Sequence, residues 1–150
     1  MNWSDYFFEI CKSVSLKSKD PSYKVGCVIV GEDNEIKSTG FNGFPSGVQD
    51  SMEFVPRRYE RPEKYVWTEH AERNAIYLAS RNGVSLKNCK IYVNWMPCAE
   101  CARAIIQSGI REVHVFHYDP ADDEKYKMYR FDVTKQMCEE ADVRLVIVNR

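Results

Sequence analysis

Apolar and polar residues alternate along this chain with two periods, one near that of a helix and one near that of a strand. Asp5 to Ser18 places Tyr6, Phe7, Ile10, Cys11 and Val14 on one side of a helix. Val25 to Val30 is an almost unbroken apolar run, and Glu35 to Phe41 follows it after Gly31-Glu32-Asp33-Asn34, which predicts a hairpin. Helical spacing returns from Thr68 to Arg81, with Thr68 as N-cap and no Pro or Gly before Gly83. Lys90 to Trp95 then reads as a strand, Pro97 to Gln107 as a helix stopping near Ser108-Gly109, and Glu112 to Phe116 as another strand. A last helix near Arg130 to Ala141 leads into Val143 to Val148, apolar and β-branched enough for a covered sheet. This order of elements is that of an α/β layered domain. Gly43 to Val66 is the long irregular stretch, and such stretches in compact domains are often functional lids.

Length and charge narrow the picture. At 150 residues the chain fits one domain, 1–150, able to bury a useful core. A net charge of −1, with basic and acidic residues interspersed, argues against a general nucleic-acid binder and for a small substrate. The local run Arg57-Arg58-Tyr59-Glu60-Arg61-Pro62-Glu63-Lys64 is the exception, and reads either as a phosphate contact or as a solvated loop. Met1-Asn2-Trp3-Ser4-Asp5 begins an amphipathic segment unlike a signal peptide, and no apolar run is long enough to span a bilayer. The expectation is a soluble cytoplasmic protein with no membrane partner, in the host cytoplasm if its source is a virus. Cys11, Cys27, Cys89 and Cys138 are scattered singly through apolar or helical surroundings, which suits buried thiols rather than a disulfide framework. His114 and His117 flank Phe116 and read as exposed or hydrogen-bonded side chains rather than ligands.

The chemistry is concentrated in two short motifs, His70-Ala71-Glu72 and Pro97-Cys98-Ala99-Glu100-Cys101. Together they match the H-x-E and P-C-x-x-C signature of zinc-dependent nucleobase deaminases. Two thiolates and a neutral imidazole suit zinc, and three protein ligands leave a fourth position for water, as catalytic rather than structural sites do. Zinc brings the pKa of that water toward neutrality, and a carboxylate beside it carries protons to the ring nitrogen and the departing ammonia. Glu72 is the candidate for that shuttle, with His70, Cys98 and Cys101 as the metal ligands. If both motifs open helices, His70 and Glu72 fall in one first turn, and Cys98 and Cys101 lie three apart on one face of the other. A helix N-terminus also favours thiolate.

Beyond these motifs the chain carries Ser18-Lys19-Asp20-Pro21, Lys24-Val25-Gly26, Thr39-Gly40-Phe41-Asn42-Gly43-Phe44-Pro45-Ser46-Gly47, Tyr65-Val66 and Cys101-Ala102-Arg103-Ala104-Ile105-Ile106-Gln107-Ser108-Gly109-Ile110. In that order they make roughly residues 1 to 118 resemble the deoxycytidylate (dCMP) deaminases. The resemblance implies a cytidine-deaminase-like three-layer α/β/α sandwich with a mixed five-stranded sheet, and hydrolysis of dCMP to dUMP, which feeds thymidylate synthesis. It implies zinc on His70, Cys98 and Cys101, Glu72 as proton shuttle, the Asn42 amide on the sugar, and backbone groups at Ala71 and near Met96 on the base. Lys19 and its loop become candidates for the phosphate, and Tyr118 could close over the base, while Tyr126 and Tyr129 could equally pack a subunit interface. Similar enzymes are commonly hexamers activated by dCTP with Mg²⁺ and inhibited by dTTP, with the Gly40, Gly43 and Gly47 loop near the effector. That loop reads equally well as a plain turn after a strand, and Phe41 stands where the family frequently has Tyr. Some relatives bind a further zinc through His and Cys before the H-x-E motif, but residues 44–69 contain neither, so one zinc per chain is expected. Two other function classes share the motifs: a nucleic-acid deaminase such as a tRNA adenosine editor, and a non-catalytic zinc-binding module of the same fold. Low net charge and the Gly-Phe-Asn-Gly segment oppose the first, and the intact Glu72 opposes the second.

Overall fold

The computed structural model describes all residues 1–150. Helix α1 spans Trp3–Ser15, and its first turn is closed by the Asn2 side chain, which accepts a hydrogen bond from the Asp5 amide at 2.8 Å. It therefore starts two residues earlier than its apolar spacing suggests and ends three earlier. Strands β1 (Gly26–Val30) and β2 (Ile36–Phe41) form the expected hairpin, with Gly26 opposite Phe41 and a bulge between Ile29 and Val30. The irregular stretch after β2 holds a 3₁₀ turn at Pro56–Tyr59 and the short helix α2, Lys64–Trp67. Helix α3 (Ala71–Arg81), β3 (Lys90–Val93), α4 (Ala99–Gln107), β4 (Glu112–Val115), the short α5 (Asp122–Lys125), α6 (Phe131–Glu140) and β5 (Arg144–Ile147) complete the chain.

The five strands form one mixed sheet in the order β2-β1-β3-β4-β5. β1 pairs antiparallel with β2 and β3, whereas β3, β4 and β5 run parallel. Parallel pairing requires crossovers, and α4 and α6 supply them. β1 sits inside the sheet with both faces covered, which is why its sequence is a continuous apolar run rather than an alternation. Cys27 and Ile29 face the larger core with Ala71, Ala75, Ile105 and Phe131, while Val28 and Val30 face Phe7 and Cys11 of α1. One helical layer is thus built from α3, α4 and α6, and the other from α1 alone, lying over β1, β2 and β3. No helix is long and apolar enough to cross a membrane. All six cysteines are buried and unpaired.

His114 departs from its expected setting. It is neither exposed nor hydrogen-bonded: its ring stacks on Tyr92 with centroids 4.4 Å apart, and neither ring nitrogen has a hydrogen-bond partner. His117 is exposed as expected, and its ring packs against Trp95 with centroids 4.8 Å apart.

Candidate active site

Two helix N-termini converge beyond the ends of β1 and β3. α3 begins at Ala71 rather than Thr68, and α4 at Ala99 rather than Pro97, so His70 and Cys98 are the N-cap residues. Both have extended backbones, with φ −77° and ψ 154° at His70 and φ −72° and ψ 170° at Cys98. Neither side chain caps its own helix, and this frees the imidazole and the thiol to turn toward each other. The first turns close on their carbonyls instead, through Asn74 N–H to His70 at 2.9 Å and Ala102 N–H to Cys98 at 2.9 Å. Thr68 closes α2, and its buried hydroxyl has no partner.

His70 Nδ1 lies 3.4 Å from both Cys98 Sγ and Cys101 Sγ, and the three donor atoms are all within 4.8 Å of one another. Tetrahedral zinc with ordinary Zn–N and Zn–S bonds requires N to S separations of about 3.5 Å, so the donor set fits the ion in both type and spacing. Zinc held there supplies Lewis acidity and an acidified water. The two thiols are polarised unequally: the hydrogen bond from Cys101, with help from His70, holds Cys98 down at about 4 against the opposing effect of burial, whereas burial pushes Cys101 well above the usual thiol range. Two positive helix ends favour thiolate. Arg73, one turn along α3, joins the two helices by pairing with Glu69 at 2.5 Å and with Glu100 of α4 at 2.7 Å.

Glu72 follows His70 by two residues and is buried at 4 % exposure. Burial raises its carboxyl pKa above the ordinary range, which suits a group that must both take and give a proton. It lines a cleft whose walls include His70, Ala71, Met96, Asn42 and Trp95. Ala71 is the first helical residue, so its N–H has no acceptor within α3, while its carbonyl accepts from the Cys27 thiol at 3.3 Å. The Asn94 side chain ties the metal loop to β1 by accepting from Gly26 N–H at 2.9 Å. Thr134 of α6 donates to the Pro97 carbonyl at 2.9 Å.

The other sequence candidates divide. Asn42 lies in the cleft, but its amide is largely committed to backbone: Oδ1 accepts from Val25 N–H at 2.9 Å and Nδ2 donates to the Tyr23 carbonyl at 2.9 Å. One N–H is left for a ligand. Lys19 is not in this cleft; its ammonium is 2.8 Å from Asp50, in a neighbouring depression that also holds Lys17, Gly43 and Gly47. Gly40 lines neither cleft, because it is the point where β2 passes under α3. Gly43 pairs with Glu69 in an isolated bridge, and Gly47 takes φ +85° in open space. Tyr118 is also outside this cleft: its hydroxyl is held by Asp123 and Lys135, and its ring packs on Phe131.

The cleft takes its remaining walls from residues the motifs do not contain. Tyr126 and Tyr129 line it, with the Tyr129 ring edge-on to His70 at 5.9 Å. Arg61, Lys64 and Tyr65 come from the long irregular stretch, whose basic and aromatic run was the one signal in the sequence that pointed to them. Asp20 and Tyr23 come from the loop after α1.

Comparison with known proteins places this geometry. Residues 1–117 match the family described as the cytidine and deoxycytidylate deaminase zinc-binding region. The chain is 43 % identical over 108 residues to a probable deoxycytidylate deaminase of Caenorhabditis elegans, covering 72 % of this chain and 54 % of that one. It is 40 % identical over 125 residues to the deoxycytidylate deaminase of Mus musculus, covering 82 % and 68 %. The chain therefore spans about half the length of the first relative and about two thirds of the second. Its fold is that of a dCMP deaminase from the cyanophage S-TIM5 solved with dCMP and dUMP, with a TM-score of 0.73, 23 % identity, and 96 % and 95 % of the two chains covered. With the family match running through both metal-ligand motifs, the chain belongs to the zinc-binding cytidine and deoxycytidylate deaminase family.

Proposed function

We propose that this protein is a hydrolase that converts dCMP to dUMP with release of ammonia, and so supplies dUMP for thymidylate synthesis. The observation that carries the reading is the buried Glu72 carboxyl beside a His-Cys-Cys donor set on the floor of an aromatic-walled cleft. The deoxycytidylate deaminases among the relatives support the choice of substrate.

The protein's own groups divide the work. Glu72 accepts a proton from the attacking water and delivers it to the ring nitrogen next to C4; it then passes the second proton to the exocyclic nitrogen as the C4–N bond breaks, leaving a C4 carbonyl and ammonia. The free N–H of Ala71 and the backbone near Met96 hold the base, and the remaining N–H of Asn42 meets the sugar. Apolar walls exclude bulk water, which strengthens each of these polar contacts. The same proposal takes zinc as the single resident metal. It extends to a hexamer activated by dCTP with Mg²⁺ and inhibited by dTTP.

The test is ammonia release by zinc-loaded protein from dCMP, deoxycytidine, dCTP and a tRNA anticodon stem-loop, each with and without dCTP or dTTP as effector. Turnover of dCMP that rises with dCTP supports activity and regulation together. Turnover of the RNA alone moves the assignment to nucleic-acid editing, and silence on every substrate indicates a non-catalytic zinc module. Glu72→Gln should lose roughly 10²- to 10⁴-fold in kcat while its zinc content stays unchanged. Full turnover in that variant refutes the mechanism.

A further inference from the structure

The catalytic cleft holds two cations, and they are in different states. Lys64 is buried, with its ammonium 2.9 Å and 3.1 Å from the two oxygens of Asp20. That carboxylate also accepts from the amides of Ser22 at 2.8 Å and Tyr23 at 3.1 Å. Lys64 is thus neutralised in place, and the pair fixes the backbone that carries Tyr23. Arg61 is exposed at the cleft and forms no ion pair, with the Asp20 carboxylate near enough to be felt by its charge. Tyr23 and Tyr129 both lie within reach of its charge.

Across the cleft the hydroxyls of Tyr23 and Tyr126 meet at 2.9 Å, joining residues 103 apart in sequence. Trp95 supports both rings, with centroids 4.6 Å and 5.7 Å away. Only one hydrogen can lie between two hydroxyl oxygens, so the pair keeps a second O–H to offer. The wall thus combines a guanidinium outside any ion pair with a free hydroxyl donor, and Tyr129 separates this group from His70 at the metal site.

We propose that Arg61 and the paired hydroxyls of Tyr23 and Tyr126 form a subsite for the phosphate monoester of a nucleotide whose base lies at the metal. This rests on the deaminase reading above and specifies how the site prefers a nucleotide to a nucleoside. The planar fork of Arg61 takes two phosphate oxygens, the geometry in which arginine binds phosphate more specifically than lysine. The tyrosine pair donates to a third. Lys19 cannot play this part from its position on Asp50 in the neighbouring depression.

The experiment compares kcat/KM for dCMP and for deoxycytidine in the zinc-loaded wild type, Arg61→Ala, Arg61→Lys and Tyr126→Phe. A charge-assisted hydrogen bond contributes enough that Arg61→Ala should cut the preference for dCMP over deoxycytidine by roughly ten- to a hundredfold, carried by KM. Arg61→Lys should recover part of that loss, and Tyr126→Phe should lose several-fold. An unchanged preference, or an equal loss on both substrates, overturns the subsite. If the wild type deaminates neither compound, the deaminase reading fails, and calorimetry with inorganic phosphate then decides the subsite by itself. Binding abolished by Arg61→Ala supports it, and no binding to the wild type overturns it.

Discussion

Gly40→Ala offers the sharpest test of how the sheet positions the metal ligands. A Cβ at this position would lie 2.3 Å from the Ala71 carbonyl oxygen, 2.5 Å from the Ala75 nitrogen and 2.9 Å from the Ala75 Cβ. Two of these atoms are helix backbone and cannot rotate away, so α3 must lift from β2 by roughly an ångström to restore ordinary contact. Overpacking of this kind costs about 1–3 kcal/mol. Lifting α3 also stretches the bonds from Ser38 Oγ to the Ala75 carbonyl, 2.7 Å, and from Cys27 Sγ to the Ala71 carbonyl, 3.3 Å, at about 1 kcal/mol for each one lost. The expected loss is therefore about 2–4 kcal/mol, a large share of the stability of an ordinary domain. Because His70 occupies the N-cap position at the same end of α3, zinc affinity should fall roughly tenfold or more with no nucleotide present. The assays are urea denaturation of the zinc-loaded protein and zinc titration against a competing chelator. Gly47→Ala is the control: its φ of +85° costs about 1 kcal/mol or less, and with nothing within 4 Å it should leave zinc affinity intact. Stability of Gly40→Ala within about 0.5 kcal/mol of wild type, with unchanged zinc binding, would refute the packing argument and return Gly40 to the role of a ligand-approach residue.

Three further outcomes follow from buried charges and the metal. Lys64→Met leaves the Asp20 carboxylate buried without its cation and should cost about 3–5 kcal/mol in urea melts, with part recovered in Asp20→Asn/Lys64→Met; a negligible cost would show that the pair is not desolvated. Burial holds the His114 pKa below 6.5 even though Glu112 lies 3.5 Å away, so the unfolded chain takes up this proton at higher pH than the native one. Stability from this source is present above about pH 6.5 and is lost as pH falls through the lower native value; His114→Phe should flatten that acid limb, and an unchanged limb would sink the assignment. Metal analysis should find one zinc per chain, and chelation should lower Tm by the free energy of binding; two ions, or no shift in Tm, would contradict a single resident metal.

The His-Cys-Cys donor group was legible because its chemistry is written in local spacing, and the inner strand β1 because it is an apolar run between turn residues. Helix starts were less so. Propensity and capping preference favour Thr68 and Pro97, yet α3 and α4 begin at Ala71 and Ala99. The reason is tertiary: a side chain at an N-cap with extended backbone can turn back across the helix end, and only there do His70 and Cys98 meet at 3.4 Å. The Asn42 amide shows a related shift, since a residue expected to bind sugar is also the brace that joins Tyr23 and Val25 across the hairpin.

The walls of the cleft were illegible for a stronger reason. Asp20 and Lys64 are 44 residues apart, and Tyr23 and Tyr126 are 103 apart, so no window of sequence contains either pair. Tyr118 and Tyr129 sit in the same charged, aromatic segment, and composition cannot choose between them. The fold chooses through hydrogen bonding. Asp123 and Lys135 take the Tyr118 hydroxyl and turn it onto Phe131. The 3₁₀ turn Lys127–Tyr129 instead ends at Arg130, which has left-handed backbone at φ 52°, and Tyr129 is brought against His70. The family match stops at residue 117, before Tyr126 and Tyr129, two of the four tyrosines that line the cleft. Under the proposed function the motif accounts for the chemistry at C4, while recognition of the rest of the nucleotide falls to Arg61 and the tyrosines of the loops. Exchanging those loop residues should alter substrate preference while leaving zinc binding untouched.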